Sequence, residues 1–480
     1  MKSSWKIGLL ALGCGICSTM VMHAQDVQRY SERGIIGSAR YVGMGGAMTA
    51  IGGDPSAAMD NPAGLGLYRR SEIGLSGDIG IDITQPASSH DTNIRSHLGI
   101  PQVSAIWASH RSDRQKGLIY SNIMVAFNQL ASYHRDIEVS GSNTGMVPTL
   151  CTLTSGLAES ALGQEDVWYD EEIGWMTILG YDTYLIDPAT NNEWVPAVNL
   201  SDGQLSINEK GSSYEYSIAW AGNISNQWYI GASINVPTLT YSKQASLLEH
   251  NAKDRAHLSS YLHVSGVGVK ASVGMIARPT EWLRIGASLH TPTVMHLSVY
   301  TEGEMSSKVA ENEYKAYTPL DGRSEARIPT PLRSSIGIAG QWKHIGMLSI
   351  QYDYAHALRE KNTEESLMVD MHTLRAGIEA QILSGVYLNA GYVYESPFLE
   401  RDPVVGLSYN SIRTDIDYRY TQSTQYASAG VGYRNENMVA HLSYQYGWQL
   451  LHQYASEHQV DAMLINTRMH RIVCTLAWRI

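Results

Sequence analysis

The chain has 480 residues and a formal net charge of −11, with charged residues only 17% of the total and hydrophobic ones 44%. That composition excludes an intrinsically disordered acidic chain, and no basic patch interleaved with aromatics suggests nucleic acid. Tyrosine (29) far outnumbers phenylalanine (2), a bias that suits a water–lipid boundary better than a dry core.

Residues 1–24 read as a secretory signal. Lys2 and Lys6 supply its positive end, 7–22 its apolar run, and Ala24 the small residue before a cleavage point. Gly13 before Cys14 leaves a lipoprotein signal as an alternative, but Ala11 fits that pattern poorly and the apolar run continues past the cysteine. Beyond the signal no uninterrupted apolar stretch reaches about 20 residues, so a helical membrane span is not expected. Cys151 and Cys474 remain, too few and too far apart for a disulfide framework.

From 34 to 67 small residues dominate, which permits close backbone approach and tight turns. Gly43, Gly45 and Gly46 form no phosphate loop, because no Lys-Ser/Thr follows them. Asp54-Pro55 reads as a helix start and Asn61-Pro62 as the next turn. Two readings stay open for this stretch: a compact plug inside a barrel, or an ordinary lead-in to the first strand.

From Glu72 to Ile480 about fourteen strands alternate. Leu348, Ile350, Tyr352 and Tyr354 fall on one face and Ser349, Gln351 and Asp353 on the other. Short joints at 113–116, 225–227, 278–281, 343–345, 383–384 and 435–437 alternate with long connections, the rhythm of a membrane barrel with short periplasmic turns and long outer loops. A soluble sheet shows the same alternation with its apolar face inward. Tyrosines beside the long loops, with Trp228, Trp282 and Trp342 near the short turns, favour lipid. The fold expected is therefore all-β, a transmembrane antiparallel barrel of about 14 strands over 72–480, with an N-terminal hatch at 25–71.

The longest connection, 135–212, is unusually apolar. Leu150, Leu153, Leu157 and Ala161 share a helical face, and Trp168, Trp175, Met176, Ile178, Leu179, Tyr181 and Tyr184 follow. An outer loop this greasy either packs onto the barrel mouth or holds something apolar. Leu150, Leu153, Leu157, Trp175, Ile178 and Leu179 are the candidate ligand contacts. Stretches 301–326 and 398–424 read as further large outer loops.

The run from Arg40 to Leu65, with Met44-Gly45-Gly46-Ala47, Gly52-Gly53-Asp54 and Asn61-Pro62-Ala63-Gly64-Leu65, resembles the N-terminal hatch of the FadL/TodX family of outer-membrane hydrophobic-compound channels. It is most similar to a Bacteroidetes-type branch often labelled hemin receptor-like. Gly266-Val267-Gly268-Val269-Lys270, Arg278-Pro279, Leu283-Arg284-Ile285-Gly286 and His290-Thr291-Pro292-Thr293 resemble the family's mid-barrel hairpin. Pro329-Thr330-Pro331-Leu332-Arg333 and the run from Ala390 to Phe398 also fit that branch. The resemblance implies a Gram-negative outer-membrane barrel passing lipophilic molecules without energy coupling, with the hatch motif on Asn61, Pro62, Ala63 and Gly64. It also implies a kinked third strand opening a side exit, yet the third strand here, 118–133, holds no internal Gly or Pro to mark a bulge. The chain ends on Ile480, two residues past Trp478, where barrels usually end on an aromatic.

Histidines are scattered without the spacing of metal ligands, and no nucleophile elbow is present, so no cofactor, metal or enzymatic activity is expected. The leading function is a passive channel for hydrophobic compounds such as long-chain fatty acids, with lipids as partners. A protein-binding scaffold in secretion or surface attachment is the alternative, and a haem receptor ranks below both.

Overall fold

The computed structural model describes residues 24–31, 33–87, 92–111, 116–142, 150, 154, 167–169, 173–188, 194–320, 322–342, 345–357, 368–399, 412–455 and 462–480. One antiparallel sheet closes on itself with fourteen strands. They are β1 (Glu72–Pro86), β2 (Asn93–His110), β3 (Leu118–Ser132), β4 (Asp202–Ile224), β5 (Trp228–His250), β6 (Arg255–Ala277) and β7 (Leu283–His290, continued by Val294–Val309). Then follow β8 (Asn312–Tyr317, Arg323–Pro329 and Leu332–Trp342), β9 (Gly346–His356), β10 (Met371–Leu383), β11 (Val386–Glu395), β12 (Tyr418–Arg434), β13 (Met438–Tyr454) and β14 (Met463–Arg479). The seam pairs β14 with β1 from Glu72↔Arg479 to Pro86↔Ile465, which leaves no free edge there.

The alternation decides which medium the outer face meets. Ile350 is 53% exposed while its neighbour Gln351 is 1% exposed, and Ile336, Ile338, Leu374 and Leu442 are likewise exposed. Apolar side chains outside and polar ones inside invert the soluble arrangement and fit a lipid-facing wall. Trp228, Trp282, Trp342 and Trp478 ring one edge of this belt, beside the short turns. Tyr352, Tyr392, Tyr394 and Tyr444 ring the other.

The joint at 225–227 folds as expected, while 113–115 and 343–344 lie outside the described residues. Ser225 and Asn226 take left-handed φ of 58° and 56°, the two-residue turn that matches strand twist. The far end departs from the expected rhythm. Residues 301–326 are largely two strands, turned at Ala310 and Glu311 with φ of 50° and 70°, rather than a large loop. Likewise Arg135–Ser142 pairs with Asp202–Glu209 inside the longest connection. The reason is strand length. β4, β5 and β6 each have 23 residues, whereas crossing the hydrocarbon takes about 9–11. On β6, Val267, Val269, Val273 and Met275 belong to the belt, and the strand then runs on with His257 and His263 facing outward.

Where these strands overshoot, their inner faces pack into an apolar core of Ile207, Leu205, Leu247, Leu258, Met305, Leu451, Ile465 and others. At the other end residues 33–68 lie inside the barrel. They carry α2 (Ala39–Gly43), α3 (Ala57–Asp60) and a 3-10 turn (Pro62–Leu67), preceded by α1 (Ala24–Ser31). The segment meets strands all round the wall. The Ala39 N–H donates to Thr475 on β14, the Thr49 N–H to Gln351 on β9, and the Asn122 amide on β3 donates to the Leu65 carbonyl. Of the two readings of this stretch, the internal one matches these contacts.

Candidate functional site

The inner segment sits where the wall has no side chains to obstruct it. A Cβ built on Gly231, Gly274, Gly286, Gly377 or Gly391 would lie within 2.5 Å of an inner-segment atom, at Ala63, Asn61, Thr49, Met44 and Gly45 in turn. Only glycine permits such approach. Asn61 then ties the layers together. Its Nδ2 donates to the Thr49 carbonyl at 2.8 Å and the Met275 carbonyl at 3.2 Å, and its Oδ1 accepts from the Ala63 N–H at 3.1 Å. Pro62 takes the first helical position, where its missing N–H costs nothing, and Ala63 is fully buried. Gly64 packs on Gly52, its Cβ position 3.0 Å from the Gly52 Cα. The four predicted motif residues are thus one structural joint.

Charge fixes the segment further. Arg40 forms a two-pronged bond with Glu379 of β10, and Arg375 of the same strand bridges Asp60 at 3.0 Å and Asp353 at 2.8 Å. Burial alone would raise the Asp60 carboxyl, but Arg375 outweighs it and holds the group below the usual carboxylate range.

Above this seat the wall is broken. β2 and β3 pair from His110↔Tyr120 to Gln102↔Asn128 and no further, so Asn93–Gly99 is paired only with β1. From Asn128 to Ala131 every side chain is buried, so β3 has lost its alternation and turned inward. There the Gly34 N–H donates to the Leu130 carbonyl at 2.8 Å. The pairing of β3 with β4 meanwhile continues to Ser132↔Ser212, bulged at Leu130, and runs on from Arg135↔Glu209. On β2 the matching irregularity is a bulge, with Ile100 and Pro101 between the rungs Gly99↔Asp78 and Gln102↔Ser76. The upper end is tied by Arg95 to Asp136 at 2.7 and 2.9 Å and by Thr84 to the Asp136 carbonyl. At about 3.4 Å per residue the window runs roughly 20 Å along β2.

A third-strand break was not expected from 118–133, which lacks Gly and Pro. The readable signal lay one strand earlier, in Gly99 and Pro101, since proline within a sheet marks an edge or a bulge.

Behind the window lies a cavity of about 190 Å³. Ile35, Ile36, Ala131, Met371 and Phe398 supply apolar wall, Arg33, Arg135, Arg333 and Arg471 supply cations, and Asp82, Glu209 and Glu395 supply carboxylates. His97 and Gly80 place its flank at the window. Arg333 also donates to the Ser31 carbonyl at 2.7 Å, which holds the end of α1 over the cavity.

A layer of buried charge borders the cavity at Glu209. Arg29 of α1 meets Asp417 at 3.0 Å, Asp26 at 3.3 Å and Glu209 at 3.5 Å. Lys243 bridges Asp415 at 2.9 Å and Asp417 at 3.2 Å, and Arg413 pairs with Asp26 and Asp415. Burial would raise both Asp415 and Asp417. Arg413 with Lys243 at the first, and Lys243 with Arg29 at the second, hold them below the carboxylate range instead.

The expected loop contacts sit outside that layer. Leu150 and Leu179 belong to the outer core, while Trp175 and Ile178 pack with Ile173 and Ile186 beside it. Leu150, Ile178 and Leu179 are fully buried and Trp175 is 5% exposed, so they fill the mouth rather than border the cavity. Leu153 and Leu157 lie outside the described residues. Sequence reasoning missed Arg33, Arg333, His97 and His134, because only the fold brings them together.

No protein family and no curated protein matches this sequence. Solved structures do share its fold. A CymD monoaromatic hydrocarbon channel matches with TM-score 0.51 and 12% identity, over 92% of this chain and 97% of that one. The Pseudomonas putida toluene transporter TodX matches with TM-score 0.52 and 12% identity, over 94% and 99%. A Pseudomonas aeruginosa FadL homologue matches with TM-score 0.53 and 11% identity, over 93% and 99%. At these identities the likeness is one of fold, and the fold is that of the FadL/TodX-type barrels.

Proposed function

We propose that this protein is a passive channel for hydrophobic compounds in a Gram-negative outer membrane, with residues 34–67 as its hatch. The observation that carries the reading is a cavity, part apolar and part charged, that reaches a stretch of wall where β2 and β3 are unpaired. A lipophile leaving there enters the bilayer without crossing the hatch or water. The driving force is apolar area removed from water, about 0.8 kcal/mol per buried methylene. Opening of the outer core and of α1 admits the ligand from outside. The hatch seals the periplasmic end through its glycine seat and the Arg40–Glu379 and Arg375–Asp60 pairs.

The named neighbours include toluene and monoaromatic hydrocarbon channels, whose cargo is uncharged. Here Arg33 and Arg333 at the cavity favour a lipophile with an anionic head, such as a long-chain fatty acid. Uptake of oleate and of toluene into cells displaying the protein separates these cases. Arg33→Ala/Arg333→Ala is expected to lower oleate uptake and spare toluene. Equal loss of both would remove the fatty-acid reading, and no uptake of either would remove the channel.

A protein-scaffold role finds support in the strands that overshoot the belt, which build a packed outer platform. Recovery of a stoichiometric protein partner bound without lipid would favour it.

A further inference from the structure

We infer that the stacked imidazoles of His97 and His134 are the stopper of the wall window, so that their contact sets how fast a lipophile passes from the cavity into the bilayer. The inference rests on the channel reading above and adds the residues that hold the exit shut.

Between the Gln102↔Asn128 rung and the Arg95–Asp136 tie, β2 and β3 share no backbone pairing, so side chains alone close the gap. His97 comes from β2, and His134 from the two-residue interruption of the facing strand. Their ring centroids are 5.1 Å apart with planes 15° from parallel. Ser132 joins them, its Oγ 3.0 Å from His134 Nδ1 and 3.5 Å from His97 Nε2. Both rings border the cavity. The pair therefore stands between the two spaces a lipophile has to connect.

The neighbouring strand is cut to fit. A Cβ on Gly80 of β1 would lie 2.2 Å from His97 Cε1, so only glycine lets the imidazole lie against the wall in its stacking position. Beyond the ring, Asp82 Oδ2 lies 3.8 Å from His97 Nδ1. Among the described residues Ser132 is the hydrogen-bond partner of both rings, and a rotamer change of one opens the gap without disturbing a strand. A closure made of backbone rungs would lack this property.

The test follows transfer of anthroyloxy-labelled stearate from the full-length protein into the bilayer of a nanodisc by stopped flow. His97→Ala/His134→Ala removes the stopper, and Gly80→Ala displaces it with both histidines retained. Loss of one aromatic stack predicts transfer about fivefold faster in each, while His97→Phe/His134→Phe, which keeps a stacked pair, stays near the wild-type rate. Heat-modifiable migration confirms the folded barrel, and Gly80→Ala provides the readout if the double alanine chain does not fold. Wild-type transfer with unaltered rates in the alanine variants overturns the stopper alone. No transfer by any of the proteins overturns the channel reading, and the stopper with it.

Discussion

Arg40 Nε lies 2.7 Å from one carboxylate oxygen of Glu379 and its Nη2 lies 3.1 Å from the other. The pair joins the inner segment, the proposed hatch, to β10 with both side chains buried. Removing one partner strands a charge in the interior, which costs about 3–5 kcal/mol. Glu379→Gln or Arg40→Ala is expected to unseat the hatch while the barrel stays closed. Limited proteolysis should then cut within 33–68, and a small polar solute should leak across proteoliposomes. Protection equal to wild type would show that the glycine seat suffices by itself.

Asn61 is a donor to two carbonyls, so its closest isostere is the most informative change. In Asn61→Asp a carboxylate faces the Thr49 and Met275 carbonyls, losing two bonds and repelling both oxygens. Unsatisfied buried groups cost about 1–3 kcal/mol each, so Asn61→Asp should loosen the hatch more than Asn61→Ala. Amide exchange at 49 and 63 measures this. The reverse order of protection would mean that the side chain acts mainly through its volume.

The charged layer predicts an acid limit for the outer cap. Asp415 and Asp417 titrate below their unfolded value, so they stabilise the fold above about pH 3.9 and lose that contribution as pH falls further. The near-ultraviolet signal of Trp168 and Trp175 should therefore hold at pH 4 and collapse well below it. Asp415→Asn, which removes a partner from Lys243 and Arg413, should weaken the cap already at neutral pH. A midpoint above pH 5 would contradict the assigned pairing.

The lipid-facing belt was legible from residues such as Ile350 and Gln351, because a period of two needs no tertiary information. The small residues of 34–67 were legible too, since the close packing of that stretch against the wall demands small side chains. The window was not. Its cause is the register between β2 and β3, which depends on the inward turn of 128–131 against Gly34, and Pro101 marks only its β2 side. The strands within the outer connections were not legible for a related reason. Strands that overshoot the bilayer keep their alternation, so 301–326 and 202–211 carried strand pattern at positions where loops were expected. Of the greasy loop residues, the described Leu150, Trp175, Ile178 and Leu179 pack into buried clusters at the mouth, one of the two readings the sequence left open.

Ile350 against Gln351 also tests the medium itself. Ile350→Arg places a charge on the lipid face near the middle of β9, at a cost of about 2–4 kcal/mol for refolding into bilayers. The same change at the outward-facing His263, above the belt, should cost about 0–1 kcal/mol. Equal costs at the two sites would contradict the assigned belt.

In the proposed channel a lipophile leaves through the wall between β2 and β3. His97→Cys/Ser132→Cys places thiols on either side of the window, at side chains now 3.5 Å apart at their tips. Oleate uptake by the double variant, bridged with a short bis-methanethiosulfonate and then reduced, tests that route directly. Uptake is expected before bridging, with its loss on bridging and its return on reduction. Uptake that persists with the bridge verified by mass would place the exit elsewhere.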